Sequence, residues 1–256
     1  MESSLNIVLF GEAGVGKSSV INLIAEKDVA PTSADSWGCT FESKRYTFPV
    51  AKRSFNVWDT IGLGEPLFSV TGYLGAIEKT FSLIQQIQTE GGLDLLLFCI
   101  PGGLRISQTM QCNYRLFYEA LCEKQIPIAL VVTRLEGEAE MDDWWTRNAQ
   151  HIRRCGLIFS GHACVTGLKG DQKAAKGRSA LQLLLLNYDH KGRYVMPPAS
   201  DWYLGFLKRL SVVSRPRKMK DKRKELERLL RDRCMIHAPL ARRLAEDLTR
   251  DSSQGY

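Results

Sequence analysis

No apolar run in this 256-residue chain approaches the roughly 18 residues that a membrane-spanning helix needs. The longest, Leu93 to Ile100, is interrupted by Asp94, so an integral membrane protein is not expected. Met1-Glu-Ser-Ser4 leads into an apolar segment without the basic and hydrophobic regions of a secretory signal, and Glu2 excludes N-myristoylation. The terminal Ser252-Ser-Gln-Gly-Tyr256 is not a prenylation box. The seven cysteines (39, 99, 112, 122, 155, 164 and 234) contain no C-x-x-C pair. An odd, scattered set, partly inside apolar runs, argues against a disulfide frame or a zinc site and for reduced thiols in a cytosolic protein. Internal repeats are absent too.

What remains is the composition of a soluble globular protein, 44% hydrophobic and 25% charged, long enough for one large α/β domain and an appendage. Charge is unevenly placed. Residues 191–256 carry 17 Lys and Arg against 8 Asp and Glu, so the net charge of +7 belongs to the C-terminal tail.

Near the N-terminus, Gly11-Glu12-Ala13-Gly14-Val15-Gly16-Lys17-Ser18 fits the phosphate-cradling pattern G-x-x-x-x-G-K-[ST], with Ser19 following. Its context supports the match. Leu5 to Phe10 reads as a strand and Ser18 to Lys27 as a helix. Glycines let the backbone turn its N–H groups inward, and the helix points its positive end at the same anion. Lys17 adds a point charge for the outer phosphates, and the Ser18 hydroxyl is placed to ligate Mg²⁺.

The rest of the first 190 residues alternates strands with helices. Strands are expected at Glu42 to Val50, Ser54 to Asp59, Leu93 to Ile100 and Ile126 to Thr133, with a last one inside Gly156 to Val165. Helices are expected at Ala76 to Thr89, Ser107 to Lys124, Met141 to Arg153 and Ala180 to Tyr188. This rhythm predicts a doubly wound, mostly parallel α/β sheet over residues 1–192, binding its ligand at the C-terminal ends of the strands. A basic helical extension follows over 193–256, with helical spacing at Asp201 to Val213 and Pro239 to Leu248.

A second motif, Asp59-Thr60-Ile61-Gly62, lies at a strand end. There the Asp59 carboxylate can reach the Mg²⁺ shell and the Gly62 N–H can meet a γ-phosphate. The loop 28–41 between the two motifs should supply a threonine that closes over metal and γ-phosphate. Thr40, directly before the next strand, is the choice and Thr32 the reserve.

With GEAGVGKS, a loop threonine and WDTIGL in this order, residues 5–190 resemble the translation-factor-related class of P-loop GTPases. Within that class they look most like the branch that includes septins, immunity-associated GTPases and plastid import receptors. The resemblance implies binding of GTP and GDP with Mg²⁺. It also implies a guanine-reading [NT]-K-x-D motif, whose position holds Thr133-Arg134-Leu135-Glu136 here. Thr133 fits, Arg134 can lay its guanidinium plane over a base, and Glu136 offers the carboxylate one methylene further out. Similar T-R-x-[DE] variants occur in the immunity-associated branch. The last base-contacting loop falls at His162 to Gly167 and departs from the family pattern.

Ras-like relatives place a Gln directly after the glycine of the second motif to orient the attacking water, and this chain has Leu63. Slow intrinsic hydrolysis is the expectation, with faster turnover needing a group supplied in trans. The resembling branch pairs its domains across their nucleotide faces; Arg45 and Arg105 are conceivable donors for such a role by position alone, with plain surface charge the favoured reading of both. Three readings of the tail stay open: a solvated helix with its leucines buried on the domain, a cationic helix on anionic lipid, and, least supported, a nucleic-acid arm. The chain is thus expected to be a slow, Mg²⁺-dependent GTP switch of the cytosol. An assembly module with negligible hydrolysis is the alternative, and an ATPase the third reading.

Overall fold

The computed structural model describes residues 4–32, 43–60, 80, 82–103, 105–167, 172–189, 193–195, 223–224, 227–228, 231 and 238–251. A six-stranded sheet forms its centre, in the order β2-β3-β1-β4-β5-β6. The strands are β1 Leu5–Phe10, β2 Ser43–Val50, β3 Arg53–Thr60, β4 Leu95–Pro101, β5 Ile128–Thr133 and β6 Gly161–Cys164. Every neighbouring pair is parallel except β2 with β3, a hairpin closed by the turn at 51–52. The doubly wound, mostly parallel sheet expected from the sequence is present.

Two buried clusters show why the central strands are apolar throughout. Successive side chains point to opposite faces. On one face Val8, Phe10, Phe98, Ile100, Leu130 and Val132 pack against three helical segments: α2 (82–89), α3 (Gln108–Tyr114) and α4 (Asp142–Arg154). On the other, the alternate positions Ile7, Leu9, Leu97, Cys99 and Val131 meet α1 (Lys17–Ala25) and α5 (Gln172–Leu186). Because α1 leaves β1 on one face while α3 leaves β4 on the other, the crevice beyond the ends of β1 and β4 is the switch point of the sheet.

Two elements differ from the sequence expectation. The α5 helix begins at Gln172, well before Ala180, and runs over Gly177, where a Cβ would lie 3.2 Å from Val165 Cα. The expected single helix after Ser107 changes to π geometry over Arg115–Leu121, and the Cys122 N–H accordingly reaches back five residues to the Phe117 carbonyl. Residues 193–195 remain tied to the sheet, with Tyr194 exchanging both backbone hydrogen bonds with Leu93. In the tail, α6 (Ala238–Asp251) occupies the place of the expected last helix and buries Ala241 and Ala245 in the first cluster. The helix expected at Asp201 to Val213 lies outside the described residues.

Candidate functional site

The loop Gly11 to Gly16 turns at the C-terminal end of β1 and delivers the chain into α1. Two glycines are required by geometry. Gly16, directly before the helix, has φ +94°, and a Cβ on Gly11 would sit 2.4 Å from the Cys99 carbonyl oxygen of β4. No side chain caps α1 and no acidic residue occupies its first turn, so its N-terminal N–H groups and positive dipole face the loop. Lys17 is buried, and its ammonium donates to the Gly11 and Glu12 carbonyls at 3.0 Å each, arching under the loop.

Asp59 stands at the end of β3, beside Leu9 in register and on the α1 side of the sheet. The Ser18 hydroxyl donates to its Oδ2 at 3.4 Å, whereas its Oδ1 is buried without a hydrogen-bond partner. Burial pushes the Asp59 pKa up, opposed by the Lys17 charge and the Ser18 hydrogen bond. Burial likewise pushes Lys17 down, opposed by Asp59, Cys99 and Glu12. A hydroxyl and a carboxylate oxygen lacking a donor form a hard-oxygen pair, which fits Mg²⁺ together with its bound water. Ser18 and Asp59 would hold it, while Thr40, Gly62 and Leu63 lie outside the described residues. Thr32 is described and exposed, four residues from Asp28 in a loop that Asn22 pins: its side chain accepts from the Val29 and Ala30 N–H groups and donates to the Ala30 carbonyl.

The end of β5 meets the same loop. The Thr133 hydroxyl is shared between the Val15 carbonyl at 2.5 Å and the Ile100 carbonyl at 3.2 Å, so this side chain is spent on binding the phosphate loop to β4 and β5. Arg134, at φ +59°, donates from Nη2 to the Gly14 carbonyl, which lays its guanidinium along the rim. Glu136 is exposed, with Oε2 accepting from the buried Thr166 hydroxyl at 3.4 Å and its carbonyl held by Lys173. Thr166 comes from the loop after β6, so this loop does arrive beside Glu136.

His162, in the same stretch, instead stacks on Trp145 with centroids 4.3 Å apart; burial lowers its pKa against the pull of Asp142. Arg45 is paired with Glu90 and lies over Trp58, whereas Arg105 lines a cleft of about 230 Å³ with Ile106, Trp144, Asn148 and His151.

Sequence reasoning missed Ser107 as a site residue. Its hydroxyl donates to Glu12 Oε1 at 2.9 Å and accepts from the Met110 N–H, which joins the start of α3 to the phosphate loop. A serine ahead of a helical run signals a cap; its reach to Glu12 depends on the β1–β4 pairing, which no local pattern states.

A family model for the 50S ribosome-binding GTPase matches residues 6–134, half of the chain and all of the loop, Asp59 and Thr133. The chain belongs to this family. It is also similar to GTPase Der of Campylobacter curvus (strain 525.92), with 28% identity over 141 residues that make up 54% of this chain and 27% of Der. Ras-related protein Rab-18 of Lymnaea stagnalis shares 37% identity over 60 residues, 23% of this chain and 30% of that protein. The chain thus spans less than a third of the curated relatives it matches. Among solved structures, Aquifex aeolicus Era bound to GDP·AlF4⁻ superposes at a TM-score of 0.53 and 15% identity, over 85% of this chain and 69% of Era. The chloroplast translocon components atToc33 and psToc159 superpose at 0.53 and 16%, over 72% and 81%. Both likenesses establish a shared G-domain fold.

Proposed function

We propose that this family member binds GTP and GDP with Mg²⁺ and hydrolyses GTP slowly, acting as a molecular switch. The observation that carries this reading is the convergence of Lys17, Ser18 and a half-unpartnered Asp59 beneath a loop closed by Thr133 and Arg134. Gly11, Gly14, Gly16 and Lys17 hold the phosphates, Ser18 and Asp59 hold the metal with Thr40, and Gly62 meets the γ-phosphate. Glu136, with Thr166 beside it, offers acceptors to the guanine edge, and Arg134 flanks the base. Bound Mg²⁺ would supply charge neutralisation between the outer phosphates.

Leu63 cannot orient a water, so intrinsic turnover is slow and a second copy meeting the nucleotide face supplies what is missing. In the chloroplast translocon components, dimerisation is important for GTPase activity, which supports this arrangement by analogy of fold. Arg105 is the better placed of the two arginines considered, since Arg45 is engaged by Glu90. For the tail, the burial of Ala241 and Ala245 and the pairing of Glu246 with Arg223 and Arg242 favour a helix lying on the domain over one on anionic lipid. The place of action is the cytosol.

Competition of GTP and ATP for a fluorescent guanine nucleotide tests the base preference, and equal displacement by ATP would reject it. Single-turnover hydrolysis across protein concentration tests the rest. A rate rising with concentration supports the dimer-activated enzyme; binding without turnover at any concentration supports the assembly module, the reading that Leu63 keeps open.

A further inference from the structure

The Mg²⁺ side of the site has a wall on β2 as well as β3. Tyr46 pairs with Val57, and Asp59 follows two residues further along β3, so Tyr46 and Asp59 are diagonal neighbours. Tyr46, Val57 and the α1 residues Val20 and Ile21 share one cluster, which puts Tyr46 on the α1-facing side, where Ser18 meets Asp59. Diagonal neighbours across a strand pair lie within reach of an aromatic side chain.

Both side chains end in an unpartnered polar atom. Tyr46 is only 7% exposed and its hydroxyl is buried without a hydrogen-bond partner; Asp59 is 1% exposed and its Oδ1 is equally without one. For packing alone a phenylalanine would serve, as Phe48 does two residues on. A buried hydroxyl without a partner is a cost that the fold carries for no structural return. Burial, with the Asp59 charge adding to it, pushes the Tyr46 pKa up, so the phenol keeps its proton and remains a donor.

We propose that the Tyr46 hydroxyl is a positioning group of the metal side of the nucleotide site, satisfied together with Asp59 Oδ1 by water of the Mg²⁺ hydration shell. The inference rests on the Mg²⁺–nucleotide reading above. Mg²⁺ gives up its waters reluctantly and keeps several when bound. Such a water can donate to a carboxylate and accept from a phenol at once, and so answers both orphan atoms. Tyr46 then acts on the nucleotide only through the metal shell, and Lys44, whose ammonium lies 5.3 Å from the centre of the Tyr46 ring, flanks the tyrosine.

The test is Tyr46→Phe in the full chain, read by release of a fluorescent GDP analogue over a Mg²⁺ titration and by melting of the nucleotide-free protein. The expected result is a half-saturating Mg²⁺ concentration raised about tenfold, in the range found when outer-shell metal partners are removed. Nucleotide affinity in EDTA stays unchanged, and the nucleotide-free melting temperature is equal or higher. A Mg²⁺ requirement within about twofold of the unsubstituted chain overturns the proposal, as does a lower nucleotide-free melting temperature with equal losses in EDTA and Mg²⁺. If the unsubstituted chain fails to bind the analogue, or binds it regardless of Mg²⁺, the parent reading falls instead.

Discussion

Arg193 grips Asp94 with two hydrogen bonds, Nε to Oδ1 at 2.7 Å and Nη2 to Oδ2 at 2.8 Å, although the two residues are 99 apart in sequence. The Asp94 carboxylate is fully buried and also accepts from the Asn6 N–H at 2.8 Å. Asn6 in turn holds the Gly92 carbonyl, and Asn56 donates to Asn6. This network fastens residues 193–195 to the N-terminal ends of β1 and β4, at the end of the sheet opposite the phosphate loop.

Arg193→Ala leaves a buried carboxylate without its counter-charge. Such a loss costs about 3–5 kcal/mol, read by chemical denaturation. A paired Asp94→Asn/Arg193→Met change should recover part of the loss, because no uncompensated charge then remains.

Gly11→Ala drives a methyl group into the Cys99 carbonyl, on the backbone of a central strand. Overpacking of this kind costs roughly 1–3 kcal/mol or more, and nucleotide affinity should fall with it. Gly137→Ala, with open space around it, is the matched control and should change stability little.

Lys17→Ala should abolish nucleotide binding, measured by titration of a fluorescent nucleotide. Retained micromolar affinity would count against the whole assignment of the loop.

Thr133→Val keeps the shape of the side chain but leaves the Val15 and Ile100 carbonyls without its hydroxyl. A loss of about 1–3 kcal/mol is expected by denaturation. Weaker binding of GDP and of inorganic pyrophosphate should accompany it, since the hydroxyl ties the phosphate loop to β4 and β5.

Asp59 titrates above its ordinary value of 3.8 because burial disfavours its charge. The folded, nucleotide-free protein therefore binds this proton more tightly than the unfolded chain. The resulting stabilisation is complete below the ordinary value and is lost as pH rises through the raised one. Melting curves taken upward from about pH 4 should show this loss, and Asp59→Asn should lack it.

Much of the site could be read along the chain. Gly11 to Ser18 and Asp59 to Gly62 are contiguous motifs whose chemistry is carried by residue type and spacing, and the alternation of strands and helices implied the layered sheet. Helix α5 runs over Gly177, a poor helix former by propensity, and the close approach to Val165 makes glycine the residue that fits there. Thr133 matched a base-reading position, yet its hydroxyl turns to the Val15 carbonyl.

By itself the sequence determined the phosphate loop, the carboxylate that faces it and the family, because each depends on local backbone geometry and on residues a few positions apart. Only the tertiary structure decided which groups meet across strands: Ser107 with Glu12, Tyr46 diagonal to Asp59, and Arg193 on Asp94. Those contacts depend on strand order and register, and sheet pairing brings together residues that no spacing along the chain relates.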